Sequence, residues 1–108
     1  MKFEGFPFTI TNWDQLEPVS YPGESGVALW RTVELGNVRV RMVEYSPHYK
    51  ADHWCTRGHV ILVLEGELVT TLYDGRTTTL LPGMSYQVAE GEAHQSSTTV
   101  GAKLFIVD

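Results

Sequence analysis

From Val27 onward the chain alternates short apolar-rich runs with turn residues, and this rhythm sets the expected fold class. "VALWRTVEL" runs to a Gly36-Asn37 turn, and "VRVRMVEY" follows until Ser46-Pro47-His48 interrupts it. "HVILVLEG" reaches a turn at Glu65-Gly66. "ELVTTLY" leads to Asp74-Gly75, a hairpin signal because glycine accepts the positive φ of a tight turn. "RTTTLL", a Pro82-Gly83 turn, "MSYQVAE", a loop at Gly91, a strand opening at His94, and "AKLFIVD" complete the pattern. Roughly eight short strands with no long helix predict an antiparallel sandwich or barrel. The Thr-rich pieces suit half-exposed strands, since β-branching favours extended backbone. Gly66, Gly75, Gly83 and Gly91 read as turn residues.

Residues 1–26 read differently. Pro7, Pro18, Pro22, Gly23 and Gly26 make this segment irregular, apart from a short helical turn in "TNWDQLEP" capped by Thr11 or Asn12. The expected organisation is one domain over 1–108, with the barrel in 27–108 and the N-terminal segment packed on it or crossing to a neighbour. Phe3, Phe6, Phe8 and Trp13 have little else to cover, so a symmetric homodimer is expected.

Composition removes several function classes. The net charge is −5 with no basic cluster, which argues against nucleic acid, because phosphate neutralisation needs concentrated Lys and Arg. No segment pairs a basic face with an apolar one, and no apolar run approaches the ~18 residues of a bilayer span, so no membrane role is expected. "MKFEGFPFTI" lacks a signal peptide's apolar core, and the single cysteine, Cys55, has no internal disulfide partner. A cytoplasmic location follows as an expectation. There is no phosphate-binding glycine loop and no Ser-His-Asp arrangement.

The chemistry concentrates in "ADHWCTRGHV", where His53, Cys55 and His59 stand close together. Imidazole and thiolate are metal ligands. If "DHWC" ends a strand, His53 and Cys55 share one face, and the "TRG" turn can bring His59 to the same level. His94, in "EGEAHQ", is the natural fourth donor. Asp52 points to the opposite strand face and His48 lies in an exposed turn, so neither is taken as a ligand. Trp30, Arg41, Tyr45, Met84 and Tyr86 are candidates for a pocket lining. Large apolar side chains are more often plain core, and Arg39 and Arg41, on one face of "VRVRMV", read as a solvated strand face.

This order of elements and motifs resembles the cupin superfamily over Val38 to the end of the sequence. The first cupin motif is G-x5-H-x-H-x3-E-x6-G. Aligned on "VLEG", His53 matches its leading His, Cys55 its second His, His59 its Glu and Gly66 its closing Gly. In the second motif, G-x5-P-x-G-x2-H, Ala89 replaces Pro, while Gly91 and His94 match. The Gly that opens the first motif is absent. "ADHWC" is similar to a small subgroup of uncharacterised cupins named for a DHCW motif.

The resemblance implies an all-β, antiparallel jelly-roll (cupin) β-barrel with a divalent metal held by His53, Cys55, His59 and His94. Zinc is the first choice for this donor set, with iron, nickel or manganese as alternatives. It also implies a small-molecule ligand beside the metal. A full set of four donors would make a closed site that binds or senses a small molecule. A site with open positions would suit a metal-dependent enzyme of the dioxygenase or isomerase type.

Overall fold

The turn residues divide the chain into nine strands. They are β1 (Val19–Pro22), β2 (Val27–Leu35), β3 (Val38–Tyr45), β4 (His59–Gly66), β5 (Leu68–Leu72), β6 (Thr77–Leu80), β7 (Ser85–Val88), β8 (His94–Ser97) and β9 (Ala102–Val107). The structure, a computed structural model, describes residues 2–108, so Met1 of the N-terminal segment lies outside the described residues. The strands form two antiparallel sheets, a six-stranded one in the order β1-β2-β3-β9-β4-β7 and a three-stranded one in the order β6-β5-β8. The non-sequential neighbours β3-β9-β4 give a jelly roll. The two sheets do not close into a continuous barrel. Beside β8 they are linked by isolated bridges through Lys50, to Ser97 on one side and Ser25 on the other.

Strand phase places the core. In β9, Ala102, Leu104 and Ile106 are buried, and in β4 the buried set is His59, Ile61 and Val63 while Val60 and Leu64 are exposed. Each fully buried branched side chain contributes roughly 1.5–3 kcal/mol of hydrophobic stabilisation. β3 is apolar on one face at Val38, Val40 and Met42, and on the other at Val43 and Tyr45. The core takes the second face, with Val43 fully buried and Tyr45 stacked on Tyr49 at 4.2 Å. Arg39 and Arg41 share that phase and therefore point inward, a correction to their reading as a solvated face. The opposite face is partly covered by the N-terminal segment, where Trp13 packs edge-on against Phe105 at 6.4 Å and the Arg31 side chain donates to the Leu16 carbonyl at 3.0 Å.

Two local differences from the sequence reading have clear causes. β1 is an exposed edge strand paired with β2, so its four residues carry no burial signature. The expected helical turn is a 3-10 turn, Trp13–Gln15, capped by the Asn12 side chain, which accepts from the Asp14 N–H at 3.2 Å. No helix among the described residues is long and apolar enough to cross a membrane.

Gly66 and Gly75 both hold positive φ, but only one is crowded. A Cβ on Gly66 would stand 2.0 Å from the Gly101 carbonyl oxygen, whereas one on Gly75 would meet nothing within 4 Å. Gly75→Ala is therefore expected to cost about 1 kcal/mol of backbone strain, and Gly66→Ala about 3 kcal/mol or more, because backbone must also shift. Denaturant unfolding of the two variants checks this, and equal losses would contradict the assigned packing.

Candidate metal centre

The site forms where the two sheets face each other. His59 opens β4 in the inward phase of the six-stranded sheet, and His94 opens β8 in the three-stranded sheet; both are buried. Cys55 lies in the connection before β4, fixed by backbone rather than by a strand of its own. Its N–H donates to the His94 carbonyl at 2.8 Å, and the His94 N–H donates to the Cys55 carbonyl at 2.9 Å. Directly opposed residues of such a pair present their side chains on one face. One donor atom from each of Cys55, His59 and His94 lies within 4.8 Å of the others.

The hydrogen bonds fix how the imidazoles face the site. His94 Nδ1 is 2.7 Å from the Glu92 carbonyl oxygen. A carbonyl can only accept, so Nδ1 carries the hydrogen and Nε2 presents its lone pair. That Nε2 stands 2.9 Å from His59 Nε2, which also meets the Tyr86 hydroxyl at 3.2 Å. Burial lowers the pKa of His94, the bond to Glu92 opposes this, and the His59 ring adds to the lowering.

His59 Nδ1 is buried without a hydrogen-bond partner among the described residues and lies 3.6 Å from Asp108 Oδ2. That is a contact rather than a hydrogen bond. A small closure would make it a carboxylate–histidine pair, the arrangement that commonly orients a metal-bound imidazole. His59 Nε2 would then face His94 Nε2 lone pair to lone pair, and a cation fits between them. Donors bound tetrahedrally to zinc stand about 3.3–3.6 Å apart, from Zn–N and Zn–S lengths. The observed group needs only modest adjustment to reach that, so these residues fit a metal ion.

The sequence reading missed Asp108. Its side chain is fully buried, and Arg39 grips it with two bonds, Nε to Oδ1 at 3.0 Å and Nη2 to Oδ2 at 3.2 Å. Arg41 Nη2 adds a bond to Oδ2 at 2.7 Å. Burial pushes the Asp108 carboxyl up, but the His59 ring, Arg39 and Arg41 outweigh it and hold it well below the usual carboxylate range. A signal was present in the sequence, because 102, 104, 106 and 108 share one parity and the first three are apolar or small.

Not every expected site residue converges. His53 stands apart, since Asp52 and His53 form a bend and the same-face rule for strands does not apply there. Its ring is largely exposed at the cavity rim and Nδ1 pairs with Asp52 Oδ1 at 2.8 Å. Met84 lies outside the cavity, half exposed in the turn before β7, where its Sδ accepts from the Leu81 N–H at 3.3 Å. Tyr86 is reached through the histidines rather than from the cavity. Trp30, Arg41 and Tyr45 do line the cavity, which has a volume of about 720 Å³ and opens onto Cys55, His59 and His94.

No family model and no curated protein matches the sequence. The solved structures do match. An ectoine synthase from P. lautus aligns with a TM-score of 0.76 at 14% identity, over 93% of this chain and 76% of that one. An Fe(II)-HppE with an alternative substrate aligns with a TM-score of 0.76 at 15% identity, over 94% of this chain and 60% of that one. A cupin-2 domain protein from Shewanella frigidimarina aligns with a TM-score of 0.62 at 22% identity, over 73% and 78%. In topology and in these neighbours alike, the chain has the cupin fold.

Proposed function

We propose that the protein holds a divalent metal at Cys55, His59 and His94 and binds a small molecule beside it in the adjoining cavity. The convergence of these three donors, without His53, carries the reading. Zinc is the first choice, because one thiolate and two imidazoles are borderline-soft donors. The "ADHWC" segment keeps the DHCW-type subgroup as the proposed place of this chain among cupins. Three donors leave a position facing the cavity, and this also favours a second reading, a metal-dependent enzyme of the dioxygenase or isomerase type. A metal here would supply Lewis-acid polarisation of a ligand oxygen. The chain's own residues do the rest: Glu92 sets the His94 tautomer, Asp108 backs His59, and Trp30 and Tyr45 wall the cavity.

Elemental mass spectrometry of the purified protein tests the ligand set. Near-stoichiometric metal is expected in wild type and in His53→Ala, with loss in Cys55→Ser and His94→Gln. Loss in His53→Ala as deep as in Cys55→Ser would instead support a closed four-donor site.

Acid is expected to weaken the metal-free fold through His94. Its pKa is lowered in the folded state, so as pH falls below about 6.5 the unfolded chain takes up the proton first. This contribution to stability is complete above that pH and declines below it. Denaturant midpoints of chelator-treated protein should fall between pH 7.5 and 5.5 by more in wild type than in His94→Gln, and identical pH profiles would refute the assignment.

A homodimer is proposed from the N-terminal segment. Phe8 is 91% exposed and Ile10 85% exposed. Sedimentation at micromolar concentration should show a dimer that Phe8→Ser/Ile10→Ser dissociates, and a wild-type monomer would remove the proposal.

A further inference from the structure

The cavity carries more cationic groups than its fold needs. Arg39, Arg41 and Arg57 all line it, and all three lie within 4 Å of a single carboxylate, Asp108. Three cations facing one carboxylate leave the cluster positive inside a chain whose net charge is −5. Asp52 also reaches the wall, but it sits at the exposed rim and is tied to His53.

The guanidinium donors are unevenly used. Arg39 spends its fork on both Asp108 oxygens. Arg41 gives one bond to Oδ2, its Nε is buried without a partner among the described residues, and its guanidinium lies over the Trp30 ring at 4.5 Å. Arg57 is half exposed, and its Nε is 3.7 Å from Oδ2, beyond a hydrogen bond. Asp108 Oδ2 is thus shared among several cations, and Arg57, beyond hydrogen-bond distance and half exposed, keeps donors that a second acceptor could meet. Arg41 Nε is enclosed, but the Arg41 side chain keeps 12% of its surface and Arg57 about half, so both guanidinium groups present charge to the cavity that Asp108 does not fully neutralise. The fork geometry of arginine suits a planar carboxylate. Trp30, Tyr45, Ile61 and Ile106 give the lining an aromatic and aliphatic part, alongside polar Thr32, Thr56 and Ser96, and a cavity of about 720 Å³ is sized for a small organic molecule.

We propose that the cavity binds a small organic carboxylate, with its carboxylate on Arg41 and Arg57 and its apolar body along the Trp30 wall towards Cys55, His59 and His94. This rests on the ligand-binding part of the reading above and not on the metal. Arg41 and Arg57 supply charge and direction, while the apolar walls supply contact area. The subsite sits beside the three donors, so a ligand held there presents its far end to them.

Calorimetric titration of benzoate and of its neutral isostere benzamide tests the proposal, using the full chain both as purified and after chelator treatment. Benzoate should bind in both states and benzamide at least about tenfold more weakly, as expected for loss of a charge-assisted bond. Arg57→Gln and Arg41→Gln should each weaken benzoate at least about tenfold, and Arg76→Gln, an exposed residue outside the cavity lining, should leave it unchanged. Arg57 is half exposed, so its variant keeps the test valid if Arg41→Gln fails to fold. Benzoate binding that survives chelation while metal is absent from all samples would uphold this inference and remove the metal reading. Benzamide matching benzoate, benzoate binding only to metal-loaded protein, no binding of benzoate, or Arg57→Gln binding like wild type would each overturn it.

Discussion

Two imidazole rings from opposite sheets meet nitrogen to nitrogen at 2.9 Å, and the rest of the site is arranged around that contact. Two neutral nitrogens cannot both present lone pairs to each other without something electropositive between them. The Glu92 carbonyl commits His94 to one tautomer, which leaves the choice to His59. If His59 turns its Nδ1 hydrogen to Asp108, the space between the rings calls for a cation, and Cys55 stands beside it as a third donor. The fold supplies the precision. β4 and β8 approach from different sheets, and Cys55 is locked to His94 by a pair of backbone hydrogen bonds.

A second buried constraint lies behind the first. Asp108 is fully buried and is held by Arg39 and Arg41 from the neighbouring strand. A buried charge of this kind is tolerated only with partners, and breaking it leaves the others uncompensated. The same arginines reach the cavity wall, so one charge network stands 3.6 Å behind His59 and also borders the cavity.

The strands were legible because glycine and proline turns bound nearly every one, and the register of alternating burial follows from them. Cys55, His59 and His94 stood out by residue type and spacing, with His94 read as opening a strand in the second half of the sheet, and the structure brings the three together. His53 misled because the reading assumed a strand where the chain bends. β3 misled for a different reason: both of its faces carry apolar residues, and which one is buried is decided by contacts with β2 and β9 that the local pattern does not contain. Asp108 went unread although its parity with Leu104 and Ile106 pointed inward. β1 left no trace because an exposed edge strand buries nothing.

X-ray absorption at the edge of the bound metal tests the central claim most directly. The account predicts one sulfur at about 2.3 Å and two imidazole nitrogens at about 2.0–2.1 Å, with one or more further light atoms at exchangeable positions. A spectrum without sulfur, or one showing three imidazoles and a sulfur in a filled shell, would contradict a three-donor centre open to the cavity.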